Sequence, residues 1–472
     1  MLRWIVSSLV VLVLGSSVCL SAGWPRFRGE NGSGLAAAGS KLPTEIGPDK
    51  NVRWKVALPP GHSSPAILGD RIYLTSEQDQ KLVTISLDRA TGKTLWSREA
   101  PHKKLEEVHR IGSHAQCSPA TDGERVVSMF GSCGLFCYDR EGKELWSVPM
   151  GPFKNDFGAG SSPQIVDDLV IVCQDHDTDS FLVAFDKRTG KEVWRTDRSE
   201  FPRNYCTPVI WTVNGKKQVV VAATLRVVGY ELETGKELWT VRGISRVVCM
   251  SPVIGDDNML YVAGWAAGGD ESQRIAIEPF SVIKKEVDKN GNDAFEEGEL
   301  PKGDVKQRFT QVDRDKSGGV TESEYEYFRM LFEQGQNVVV AIKPGARGEA
   351  TESHLLWKQR KLVPFCASPL FVGGNVFTIK DGGIFVSMDA TSGKHLKVGR
   401  VTGTDDYYAS PVAGDGKIYL LDEEGRLSVV SATANWEVLH SAEFGERVYA
   451  TPALLDNRIY LRTHGHLYCF GE

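Results

Sequence analysis

Residues 162–194, SPQIVDDLVIVCQDHDTDSFLVAFDKRTGKEVW, decide the fold. Ser162-Pro163-Gln164-Ile165-Val166 predicts a short strand, and Asp167-Asp168 a turn. Leu169 to Cys173 predicts a second strand and Phe181 to Asp186 a third. Thr189-Gly190-Lys191 is a tight turn, and Glu192-Val193-Trp194 opens a fourth strand. Apolar residues fill both faces of the middle strands, so this small sheet must be packed on both sides.

The unit recurs. A small hydroxyl residue followed by Pro stands at Ser64-Pro65, Ser118-Pro119, Ser162-Pro163, Thr207-Pro208, Ser251-Pro252, Ser368-Pro369, Ser410-Pro411 and Thr451-Pro452. Six of the seven intervals lie between 41 and 54 residues, whereas Pro252 to Pro369 spans 117. A second mark follows within the unit: Gly92, Gly142, Gly190 and Gly235 each precede a Trp by four, at Trp96, Trp146, Trp194 and Trp239. Four strands at this period are the unit of a β-propeller blade, and eight marks predict eight blades. A large indole on the outermost strand suits the wedge that opens between neighbouring blades away from the axis.

The two ends of the chain predict closure. Thr451 to Phe470 supplies three strands and stops, while Val52-Arg53-Trp54-Lys55-Val56 carries a Trp with no strands before it. Pairing them completes blade eight and removes an open sheet edge. The expected fold is all-β, an eight-bladed propeller with a small α-helical insertion in blade five. The expected divisions are a leader over 1–22, an N-terminal extension over 23–50, propeller over 51–277, insertion over 278–335 and propeller again over 336–472.

Composition agrees with a folded chain. Of 472 residues, 41% are hydrophobic and 25% charged, and 48 are Gly, as many tight turns require. The net charge of -6 argues against nucleic acid as a default partner. Arg3, the apolar run Trp4 to Gly15 and the small residues to Ala22 have the order of a secretory signal, too short to span a bilayer comfortably. A periplasmic or extracellular location is expected, with no transmembrane segment after the signal. Beyond Cys19 stand eight cysteines, without a C-x-x-C or zinc-type spacing; most fall in apolar strand patterns, as buried thiols do.

Between Phe280 and Glu333 the spacing turns helical. Asp313 to Glu324 places oxygen ligands at Asp313, Asp315 and Ser317, Gly318 at the sharp turn, the backbone carbonyl of Gly319, and Glu324 last, as an EF-hand calcium loop requires. Asp288 to Glu299 is a second such loop, with Asp288, Asn290, Asn292, the carbonyl of Ala294, and Glu299; Asp293 replaces its turn Gly. Calcium is therefore the expected metal. An acidic surface hairpin is the structural alternative.

The repeats resemble those of the pyrroloquinoline quinone (PQQ)-type β-propeller proteins, on the turn and Trp of Asp186 to Trp194. The resemblance covers nearly all of 51–472 outside the insertion, with blades five to seven degenerate. Trp24-Pro25-Arg26-Phe27-Arg28-Gly29 and the insertion look like exported propellers of planctomycete-type bacteria. It is also similar to the outer-membrane-protein assembly propeller, which implies a protein or peptide partner. The dehydrogenases of the same repeat imply the quinone cofactor, but their adjacent cysteines are missing and their Asp base and metal cluster match no segment. A non-catalytic binding or scaffold role is expected, with a PQQ-dependent dehydrogenase or another funnel-site enzyme as alternatives. His109, His114, His176, His464 and His466 are scattered, as surface or hydrogen-bonded histidines are.

The residue three places before each repeat Pro should sit near the pore mouth. Those positions are His62, Gln116, Gly160, Tyr205, Cys249, Cys366, Tyr408 and Tyr449, with Phe157, Phe365 and Tyr407 close by. Aromatic and amide groups around a concave mouth suit ligand or peptide binding, and equally suit packing of the funnel wall.

Overall fold

The computed structural model describes residues 23–472; the expected leader and Cys19 lie outside them. Seven four-stranded antiparallel sheets and an eighth that gains a short fifth, parallel strand form an eight-bladed β-propeller. Blade three contains Gln164–Val166, Leu169–Gln174, Phe181–Asp186 and Glu192–Asp197, paired in that order from the axis outward. The innermost strands begin at the residue after the repeat Pro, two residues later than the sequence suggests. Proline lacks an N–H, and the inner edge of a blade has no strand to receive one.

Blade eight is built from both ends of the chain. Ala453–Leu455, Arg458–Arg462 and His466–Phe470 supply its inner strands, and Val52–Ala57 its outer one, with Trp54 opposite Cys469. The ladder, irregular only between Val52 and Trp54, joins the two ends across about 400 residues of chain and closes the ring.

The Gly–Trp mark works between blades. The Trp146 indole lies against Gly190 of the next blade, where a Cβ would come within 2.7 Å of it. Trp96 meets Gly142, Trp194 meets Gly235, and Trp54 meets Gly92 in the same way. Each indole N–H then donates to a carbonyl beside that turn, as from Trp146 to Lys187 at 3.0 Å and from Trp194 to Leu232 at 2.9 Å. Blade five is less degenerate than its sequence suggests, because Trp357 of its outer strand docks on Gly393 of blade six and donates to Ala390. Trp239 is the exception. Blade five has a longer turn there, so Trp239 packs edge-on against Trp211 in its own blade, and the segment Gly348–Glu349 adds a parallel strand beside it.

The insertion leaves blade five between Leu260–Gly264 and Val338–Ile342, which are neighbours in one sheet. It comprises helices Phe280–Val287, Asp304–Gln307, Phe309–Val312 and Glu322–Gln334 around a small core of Phe280, Phe295, Val320 and Tyr325. The stretch before Asp313 is two short helices broken at Arg308. Arg314 donates to the Ser199 carbonyl and Tyr327 to that of Glu200, which seats the insertion on the blade three to four connection. Among the described residues no helix is long and apolar enough to cross a membrane.

Candidate functional site

The eight Ser/Thr-Pro marks meet at the axis. The Ser64 amide donates to the Ser118 hydroxyl at 2.9 Å, Ser118 to Ser162 at 3.0 Å, and Ser162 to Thr207 at 3.0 Å. Thr207, Ser251, Ser368 and Ser410 continue at 2.9–3.2 Å, and Thr451 returns to Ser64 at 2.9 Å. The result is a closed belt of eight amide-to-hydroxyl bonds. A side chain with oxygen one bond from Cβ is what this short reach demands, which explains why only Ser and Thr stand there.

Above the belt lies an axial cup with a cavity volume of about 190 Å³. All eight positions three residues before the repeat Pro line it, His62, Gln116, Gly160, Tyr205, Cys249, Cys366, Tyr408 and Tyr449, together with Phe157 and Phe365. Tyr407 does not. It is buried and donates its hydroxyl to the Gly403 carbonyl, because alternate residues of an extended segment face opposite ways. His62 stacks on Tyr449 with ring centroids 3.9 Å apart, and Tyr408 lies 5.5 Å from Tyr449.

The tyrosines are anchored at their hydroxyls, which leaves their faces to the cup. Tyr449 donates to Glu423 at 2.6 Å, Tyr408 to Asp406 at 3.4 Å, and Tyr205 to Asn155. Burial, with Arg462 and His464 nearby, pushes the His62 pKa down to about 3, so its ring is neutral. Burial and the neighbouring Asp406 raise Asp381 to about 6 behind the Tyr407 backbone. Asp405, Asp406 and Glu423 bring carboxylate oxygens within 4.8 Å of one another at this rim.

The floor of the cup comes from an unexpected place. Phe27, in the N-terminal extension, lines it beside the hydroxyl belt. The extension runs under the ring: Trp24 pairs with Ile67, Arg26 donates to Gln164, Asn31 brackets Ile210 and Leu35 bridges to Ala413. Arg28 is wholly buried and donates to the carbonyls of Pro369 and Pro411. Burial without a carboxylate lowers its pKa to about 9. The cup is therefore open at one end only. Sequence reasoning missed the plug, although Trp24 to Gly29 was already conspicuous as a cluster of aromatic and basic residues.

In the insertion, Asp313, Asp315 and Glu324 bring carboxylate oxygens within 4.8 Å of one another. Gly318 has φ 87° with nothing within 4 Å of where a Cβ would be. The Ser317 amide donates to both Asp313 and Asp315 at 3.0 Å, its hydroxyl donates to the Gly319 carbonyl, and Glu324 accepts from the Arg314 and Thr321 amides. In the other loop Asp293 takes φ 66°, the left-handed turn that Gly would take freely. Asp288 accepts from the Gly291 amide and Glu299 from the Lys289 amide, while the amide nitrogens of Asn290 and Asn292 donate to Glu296. Ala294 pairs with Thr321 and Phe295 with Val320, which joins the two loops by a short antiparallel ladder.

Residues 34–151 and 86–264 match the family model described as outer membrane protein assembly factor BamB. The first half of the chain carries PQQ-type propeller repeats. Among solved structures, this repeat propeller is similar to BamB from Moraxella catarrhalis, at 13% identity and a TM-score of 0.56 over 89% of this chain and 98% of that one. The computationally designed Ika8 protein aligns at 11% identity and a TM-score of 0.55, covering 89% and 100%. A europium-containing methanol dehydrogenase aligns at 11% identity and a TM-score of 0.50, covering 96% and 98%. At these identities the likeness is one of fold. No curated protein sequence shows significant similarity to the chain.

Proposed function

We propose that this repeat propeller is an exported, non-catalytic binding protein that holds an apolar or aromatic segment of a protein partner in its axial cup. The observation that carries the reading is the convergence of His62, Phe157, Tyr205, Phe365, Tyr408 and Tyr449 on a cup closed below by Phe27. Ring faces give large contact area at little conformational cost, and the belt hydroxyls beneath can satisfy the polar edge of a peptide. The match to the BamB family model supports a protein partner and an exported setting.

The insertion is read as an EF-hand pair that binds calcium through Asp313, Asp315, Ser317, the Gly319 carbonyl and Glu324, and more weakly through the Asp288 loop. The three clustered carboxylates and open turn at Gly318 fit a hard cation that prefers oxygen ligands. Bound calcium would offset the charge repulsion among those carboxylates and hold the loop beside Arg314 and the blade three to four connection. The quinone-dependent alternative has less support: the described residues lining the cup include no Lys or Arg to meet the carboxylates of that cofactor, so the cup is a poor match for it.

A fluorescein-labelled peptide alternating Phe or Leu with polar residues tests the binding reading by anisotropy. Saturable binding should be weakened at least tenfold by Phe157→Ala with Phe365→Ala, whose rings anchor no hydroxyl, while the melting curve stays within a few degrees. Equal binding by parent and variant would overturn it.

A further inference from the structure

Two of the cup's wall positions are cysteines, on neighbouring blades and at the same height. Cys249 stands three residues before Pro252 and Cys366 three before Pro369, and the belt bond from Ser251 to Ser368 at 3.1 Å joins the two segments just below them. Residues at this height touch around the ring. His62 stacks on Tyr449 at 3.9 Å, and a Cβ on Gly160 would lie 3.0 Å from Tyr205. By the same register Cys249 and Cys366 line the cup on neighbouring blades five and six. Both are partly exposed and face the cup, whereas Cys117, Cys137, Cys173, Cys206 and Cys469 are buried.

We propose that Cys249 and Cys366 are a redox site, forming a reversible disulfide across blades five and six in the wall of the cup. The proposal goes beyond the binding role and does not depend on it. A bridge needs Cα atoms about 4.4–6.8 Å apart, and the belt bond two residues on, from Ser251 to Ser368 at 3.1 Å, holds the two segments side by side. The oxidant is a low-molecular-weight disulfide of the glutathione class. One cysteine thiolate attacks a sulfur of that molecule and expels one small thiol. The second cysteine attacks the resulting mixed disulfide and expels the other. One S–S bond forms and one breaks, and the two protein protons end on the two released thiols. Contact with Cys249, together with burial, holds the Cys366 thiol protonated well above the usual thiol range, so exchange should quicken as the pH rises.

The location gives the bridge a purpose. The interval from Cys249 to Cys366 contains the whole of blade five and the insertion, 117 residues where other blades use 41–54. Closing that excursion costs more chain entropy than closing any other interval between consecutive blades, and a cross-link at its base removes the cost from the unfolded state. Oxidation would also replace two hydrogen-bonding thiols in the cup wall by one apolar disulfide.

The full-length protein, reduced and then incubated with oxidised glutathione at pH 8, should lose about 2 Da on acid quench, with Cys249 and Cys366 joined in one proteolytic peptide pair. Dithiothreitol should restore the mass, and the oxidised form should melt several degrees above the reduced one. Cys249→Ser and Cys366→Ser should each abolish the shift, while Cys133→Ser should keep it. A stable glutathione adduct on either residue, a bridge to another cysteine, or two thiols still open to alkylation would overturn the proposal; peptide mapping of the parent decides it even if a variant misfolds.

Discussion

The backbone N–H of Thr451 donates to the hydroxyl of Ser64 at 2.9 Å, across 387 residues of chain, and that bond closes the eight-membered belt around the axis. Each member accepts from one blade and donates to the next, so no member can be lost without orphaning a buried amide. Ser368→Ala leaves the Ser251 amide without its acceptor and should cost about 1–3 kcal/mol. Ser368→Thr should be tolerated, since Thr207 and Thr451 already serve in the belt. Urea unfolding of the two variants checks the contrast.

Gly190 and Gly215 both adopt left-handed backbone, at φ 69° and 74°, but only Gly190 carries a neighbour's indole. Gly215→Ala should cost about 1–2 kcal/mol for its backbone alone. Gly190→Ala should cost that and a further 1–3 kcal/mol, roughly, for displacing Trp146. Equal losses in thermal unfolding would remove the docking role assigned to this turn.

Glu106 is buried, with neither carboxylate oxygen hydrogen-bonded. Burial raises its pKa from 4.5 to about 7, against the pull of His114. A raised carboxyl pKa means the folded state binds the proton more tightly. Its contribution is full below pH 4.5, declines as the pH rises to 7, and is constant above. Glu106→Gln should therefore stabilise the protein by up to about 3 kcal/mol at pH 8 and change little at pH 4.5. Melting temperatures of parent and variant across that window should diverge in that direction.

Loop 313–324 should take up calcium before loop 288–299, because Gly318 adopts its turn without strain and Asp293 does not. A dissociation constant of roughly 10⁻⁵–10⁻³ M is expected for the tighter step. In calorimetry Glu324→Gln should remove that step, and Asp293→Gly should strengthen the weaker one. No heat at millimolar calcium would reduce the insertion to an acidic helical hairpin.

The sequence by itself determined the blade count, the strand order within each blade, the seam between Val52–Ala57 and His466–Phe470, and the ring of positions around the cup. These follow from alternation, turn chemistry and a repeat period, all written in residues close along the chain. The tertiary structure decided what the marks touch. That Trp54, Trp96, Trp146 and Trp194 need the Gly of the following blade, rather than their own, depends on how neighbouring sheets stack. Trp357 became a docking residue only because blade six presents Gly393 beside it. The hydroxyl belt, the plug of Phe27 and Arg28, and the pairing of Cys249 with Cys366 join residues 41 to 387 positions apart. Local propensity carries no record of such distances; they are fixed when the ring closes and its inner strands converge on one axis.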